Sequence, residues 1–198
     1  MRANGAAGAG GRLLLHRRAM LCGIAALAGR GAFAREPIIR ASAIRWSGAG
    51  GRALHGYMAI PQQAHGRQPA VLVIGEAHAL PPVADPVARR LVEQLAAGGV
   101  LACTADNVVG VADLRASLAW LRFNRYATGK VALAAIGTGV DAAARIVAGD
   151  GDIVGACLIV NGGSMRPPSN VPTLAIDWSE DATAVPPAAI AFLKEHLA

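Results

Sequence analysis

The sequence predicts an α/β protein: a three-layer α/β/α sandwich built on a mostly parallel sheet and entered through an antiparallel hairpin. Three observations carry this. The runs "AVLVIG", "VLACTAD", "KVALAAIG" and "IVGACLIVNG" are apolar almost throughout, as strands covered on both faces are. They alternate with segments such as "VADPVARRLVEQLAAGG" and "VADLRASLAWLRFN", whose apolar residues recur at helical spacing. A chain of 198 residues that is 54% hydrophobic can also bury such a core within one domain.

Taken in order, "IIRASAIRW" and "ALHGYMAI" are mixed runs joined by the glycine-rich "SGAGG", which reads as a hairpin. A strand follows over 70–75, then a helix over 83–99 that stops at a glycine pair. A strand over 100–106 and a helix over 111–124 come next, then a strand over 130–137 and a helix over 140–149. Strands over 153–162 and 171–177 lead to a closing helix over 184–198. The loop "NGGSMRPPSNVP" lies past the C-terminal end of a strand, the edge where such sheets place their sites. There is no internal repeat.

The net charge of +6 and pI near 10.0 suggest a nucleic-acid partner until the charges are located. Residues 1–34 hold five arginines and no acid, leaving 14 Lys/Arg against 13 Asp/Glu, or +1, for the remainder. With 4% aromatics and no basic cluster after residue 34, the body lacks both the charged track and the stacking platform of a nucleic-acid binder. No nucleic-acid partner is expected.

The front end reads as an address. "HRRAMLCGIAALAGRGAFAREP" has a basic start, an apolar segment and Ala32-Phe33-Ala34, the parts of an export signal. The apolar segment is too short for a stable membrane span, and Arg17-Arg18 resembles the twin-arginine type. Cleavage is expected after Ala34, giving a periplasmic or secreted protein whose single domain spans 35–198. The competing readings are an amphipathic N-terminal helix or a mitochondrial-type leader, for which the glycine-rich start is atypical. Cys22 leaves with the signal. Cys103 and Cys157 sit inside apolar strand-like runs, where cysteine acts as a small buried hydrophobe, although an oxidising compartment would permit them to pair.

The stretch of most chemical interest is "KVALAAIGTGVDAAARIVA", a strand, a Gly-Thr-Gly turn and a helix. Gly137-Thr138-Gly139-Val140-Asp141-Ala142 fits the G-x-G-x-x-A of a dinucleotide site. That fingerprint should open the first βαβ unit and be followed by an acid at the end of the next strand. Here it follows the third parallel-type strand, and the next strand ends in Asn161-Gly162-Gly163.

The same turn also suits a nucleophile elbow, and a resemblance bears on it over almost all of residues 36–198. "HGYMAIPQQAHGRQPAVLVIGEAHAL" followed by "VARRLVEQLAAGGVLACTAD" resembles the N-terminal half of the dienelactone hydrolase family, and "LRASLAWLRFNRYATGKVALAAIG" resembles its helix and the strand before its elbow. "AIAFLKEHLA" resembles its last helix. The resemblance implies an α/β-hydrolase-like fold, a small ester or lactone as ligand, no cofactor and no metal. It places Glu76 where the family has an acidic residue after the first core strand, with Gly75 in place of the preceding His or Gln. In the elbow G-x-C-x-G or G-x-S-x-G, Ala135 falls on the first glycine, Gly137 on the nucleophile and Gly139 on the last glycine.

The nucleophile is then missing. A shift by one residue would make it Thr138, a β-branched residue poorly suited to that strained backbone. The family's acid falls on Asp181 in "VPTLAIDWSEDATAVP", and the segment that would bring its histidine is absent before the last helix. The candidate catalytic residues are therefore Glu76, Asp181 and Thr138, in a protein whose hydrolysis is weak or absent. A non-catalytic binding protein and a nucleotide-dependent enzyme using Gly137 and Gly139 remain open.

Each candidate has a plainer reading. Glu180 and Asp181 suit the cap of the last helix; His78 reads as a solvated loop residue, too isolated with Glu76 to hold a metal; Ser164 reads as turn chemistry. His55 and His65 have no visible partner, His196 lies inside the terminal helix, and Asp150 and Asp152 flank Gly151 in a solvated turn.

Overall fold

The computed structural model describes residues 38–62, 66–75, 85–150, 152–162 and 171–198, so the leader, Glu76, His65, His78 and Ser164 lie outside the described residues. Among the described residues the chain forms β1 (Ile39–Ser47), β2 (Ala53–Pro61), β3 (Gln68–Ile74), α1 (Pro86–Ala97), β4 (Leu101–Thr104), α2 (Val111–Arg122), β5 (Ala127–Ile136), α3 (Gly139–Asp150), β6 (Val154–Val160), β7 (Thr173–Ile176) and α4 (Pro187–Leu197). All strands join one sheet in the order β1-β2-β4-β3-β5-β6-β7.

β1 and β2 form the antiparallel hairpin, in register from Ile39↔Pro61 to Ser47↔Ala53. β2 meets β4 antiparallel at Met58↔Cys103, and every pairing from β4 to β7 is parallel. Each parallel strand has apolar residues on both faces because helices cover both. On one face Leu91 and Leu95 of α1 and Leu193 and Leu197 of α4 pack on Val71, Val73, Ala134 and Leu158. On the other, Leu114 and Leu118 of α2 and Ile146 and Val147 of α3 pack on Leu72, Leu133 and Ile159. Each such leucine contributes about 1.5–3 kcal/mol by leaving water.

Local chemistry sets the ends of these elements. The Asp85 carboxylate accepts from Val87 N at 2.9 Å and Pro86 occupies the first turn of α1, a combination that suits a helix start. The chain leaves α1 through Gly98 and Gly99, the latter at φ 90°. β5 begins at Ala127, earlier than its apolar run suggests. Gln68 N donates to Tyr126 O at 2.7 Å and Gln68 pairs with Ala127, so β3 recruits the preceding residues, and a register shift between Gln68 and Ala70 absorbs the difference. No helix of the described residues is long and apolar enough to cross a membrane.

The two described cysteines are free. Cys103, Leu72, Leu133 and Cys157 form one row across β4, β3, β5 and β6. Three strand spacings of about 4.8 Å separate the cysteines, roughly twice the reach of a disulfide. Burial and the Asp106 carboxylate push the Cys103 thiol up to about 12, and burial pushes Cys157 up to about 11, from an ordinary 9.0.

The folded chain therefore holds protons that the unfolded chain releases, and stability should fall as pH rises from 9 toward 11–12. Urea unfolding at successive alkaline pH values should show this fall, and Cys103→Ala should flatten it. An equal slope in the variant would mean that Cys103 ionises in the folded state as readily as in the unfolded chain.

Candidate functional site

Strand order reverses between β3 and β5: from β3 the chain moves outward to β4 on one side and returns to β5 on the other. In open α/β sheets the crevice beyond the C-terminal ends of the strands at such a switch point is where ligands bind. Two described segments meet there, Gly75 at the end of β3 and the turn from β5 into α3.

β5 ends at Ile136 and α3 begins at Gly139. Gly137 takes φ 52°, a left-handed conformation open to glycine at little cost. Its N–H donates to Val160 O at 3.2 Å and its carbonyl accepts from Val140 N at 3.3 Å, so neighbouring strand and helix both hold the turn. Gly139 is buried, and a Cβ there would stand 2.8 Å from both Ile74 O and Gly75 O. The start of α3 thus rests directly on the end of β3. The left-handed residue is Gly137 rather than Thr138, which is exposed, and the apex carries no side chain able to attack a carbonyl.

Asp181 stands on the loop after β7, exposed, its N–H donating to Ser179 Oγ at 3.2 Å. In the sheet β7 is two strands from β5, about 10 Å. The helix-cap reading of Glu180 and Asp181 is corrected: α4 starts at Pro187 with Pro186 as N-cap and no side-chain cap bond. Proline at the first turn supplies the fixed φ and lacks an N–H that would need a cap.

The Asp181 loop is held by side chains that sequence reasoning missed. Asn161, at φ 55°, donates through Nδ2 to Trp178 O at 2.5 Å and accepts through Oδ1 from Trp178 N at 2.8 Å. The Trp178 indole donates to Gln94 Oε1 at 2.8 Å, and Gln94 Nε2 donates to Ala182 O at 2.5 Å. A single buried glutamine on α1 therefore fixes both ends of the loop. An asparagine after a strand was the one available signal, since asparagine tolerates positive φ better than most residues.

The two described histidines lie elsewhere. His55 is exposed on β2, three strands from β5. His196 meets the Phe192 ring edge-on at 4.6 Å, and its carbonyl lies against Gly155 at the start of β6, the edge of the sheet opposite Gly137. Among the described residues no group of three His, Cys, Asp or Glu could hold a metal.

A dinucleotide site is poorly served. The space left by the missing Gly139 Cβ is occupied by β3 carbonyls. At the end of β6, where an acid would hold ribose hydroxyls, Asn161 has both side-chain atoms bound to Trp178.

A mostly parallel sheet with an antiparallel N-terminal pair, helices on both faces and a glycine-apexed turn at its switch point define an α/β-hydrolase-like fold. No protein-family model and no curated protein matches the sequence. Among solved structures the chain is similar to a hypothetical protein from Pseudomonas aeruginosa, with 16% identity, TM-score 0.54 and coverage of 62% of this chain and 42% of that one. It is similar to brefeldin A esterase, a bacterial homologue of human hormone sensitive lipase, with 16% identity, TM-score 0.53 and coverage of 80% and 51%. For Est1E from Butyrivibrio proteoclasticus the values are 17%, 0.53, 62% and 52%. The chain spans about half the length of these structures, and at such identities the likeness is one of fold.

Proposed function

We propose that the chain is a dienelactone-hydrolase-like protein that keeps a pocket for a small ester or lactone while its hydrolysis is weak or absent. The observation that carries this is Gly137, left-handed at φ 52° between β5 and α3, the place where a hydrolase elbow carries its serine or cysteine. Glycine preserves the turn and removes the chemistry. The resemblance assigns Glu76 and Asp181 to the family's acidic positions, and Thr138 is the hydroxyl left beside the apex. With no side chain at 137, a non-catalytic ligand-binding role is the second reading. The proposed protein is exported through the Arg17-Arg18 leader, cleaved after Ala34 and free of a stable membrane span.

The test is hydrolysis of a small activated ester by purified protein, with Thr138→Ala and Asp181→Ala beside it. The expected rate lies within about tenfold of the uncatalysed background and does not change in either variant. Turnover lost in both variants would establish a working site around Thr138 and overturn the reading. With a flat trace, small lactones that raise the melting temperature would identify the ligand class.

A further inference from the structure

The C-terminal end of α2 and the turn after it gather three of the chain's eight aromatic residues within seven positions: Trp120, Phe123 and Tyr126, with Arg122 and Arg125 between them. Phe123 is 83% exposed, more than any other large hydrophobic residue described. The corner is preorganised. Asn124 N donates to Leu121 O at 3.1 Å, Tyr126 N to Asn124 Oδ1 at 3.0 Å, and Ala127 N to Asn124 O at 2.9 Å. Trp120 is stacked on Trp46, ring centroids 4.9 Å apart, and Arg125 lies 4.6 Å over the Tyr126 ring while donating to its hydroxyl at 2.6 Å.

Neither Arg122 nor Arg125 has a carboxylate partner among the described residues. From residue 114 to residue 140 the sequence contains no acid at all. Trp120 and Tyr126 are half-buried against the core and hold Phe123 and the two exposed arginines in place. Trp, Tyr and Arg dominate protein–protein binding energy, and two guanidinium groups without a carboxylate partner among the described residues favour an acidic partner.

We propose that this corner docks an acidic segment of a partner protein, with Phe123 as the apolar anchor beside the half-buried Trp120 and with Arg122 and Arg125 pairing its carboxylates. A nucleic acid fits less well. Arg125 already covers the Tyr126 face on which a base would stack, and two guanidinium groups make no phosphate track. The proposal lies on the opposite edge of the sheet from Gly137 and does not depend on the reading of that turn.

The test uses the full chain and a fluorescein-labelled, glutamate-rich peptide carrying leucines, followed by anisotropy, with heparin and anionic phospholipid vesicles as competitors. The expected result is salt-sensitive binding that weakens about tenfold or more in Phe123→Ala and again in Arg122→Glu/Arg125→Glu. Binding unchanged in these exposed-site variants would belong to the five arginines of residues 1–34 and would overturn the proposal. So would an absence of binding, or tighter variant-sensitive binding to heparin or vesicles than to the peptide.

Discussion

Replacing Gly139 by alanine is expected to destabilise the folded chain by about 3 kcal/mol, read as a lower urea midpoint at unchanged slope. The added methyl would stand 2.8 Å from Ile74 O and Gly75 O and 3.2 Å from Ile74 Cγ2. Both oxygens belong to the backbone at the end of β3, which cannot step aside. Val73 is paired with Thr104 on one flank and Ile74 with Ala135 on the other. The start of α3 would have to lift instead, loosening Val140 and Ala143 from the core behind it.

Gly137→Ala meets a different obstacle, the φ of 52°, and should cost only about 1 kcal/mol. The order of the two variants is the decisive readout. If Gly137→Ala proved the more damaging, the start of α3 would not be pressed on the end of β3 as the Gly139 contacts indicate.

Much of this fold was legible because strands buried on both faces leave uninterrupted apolar runs. Those runs located β3 through β6, and the glycine-rich "SGAGG" between two mixed runs located the hairpin. The Gly-Thr-Gly turn was legible for a similar reason, since small residues between a strand and a helix report a close backbone approach. What stayed hidden depends on partners distant in the chain. Gln94 looked like one more polar residue of an amphipathic helix, yet it bonds Trp178 and Ala182, 84 and 88 residues away.

The start of β5 was hidden because its first residues are recruited by pairing with Gln68 rather than by their own hydrophobicity. The site itself was legible only in part. Gly137 announces a turn whatever its chemistry. Glycine also answers equally to an elbow and to a phosphate loop. The carbonyls of Ile74 and Gly75 against Gly139, and the engaged amide of Asn161, bear on that choice through contacts the sequence does not reveal.

Asp113 is the other residue whose loss should be felt strongly, although an acid in the first turn of a helix ordinarily reads as solvated. It is buried. Its Oδ1 accepts from Ala49 N at 3.1 Å, its Oδ2 accepts from Val109 N at 3.2 Å, and Arg52 forms an ion pair with Oδ2. One carboxylate thus joins the hairpin turn, the loop after β4 and the first turn of α2. Its main-chain carbonyl accepts from Ser117 Oγ at 2.8 Å, and that hydroxyl accepts from the Trp46 indole at 3.1 Å.

Asp113→Ala removes the carboxylate that accepts from two backbone N–H groups; bonds to a charged acceptor contribute about 1.5–3 kcal/mol each, and because both are only part-buried the expected loss is about 2–4 kcal/mol. Arg52→Met should cost far less, about 1 kcal/mol or under, because the guanidinium is partly solvated and the carboxylate keeps both backbone donors. Chemical unfolding of the two variants distinguishes the sources. Equal losses would assign the stability to the ion pair, while the expected inequality assigns it to the backbone donors that Asp113 gathers from two loops. Because both donors lie outside the sheet, in the hairpin turn and in the loop after β4, the same variant should also raise hydrogen exchange at Ala49 and Val109 ahead of the core strands. Uniform exchange across the sheet would instead mean that the hairpin and the parallel core unfold as one unit.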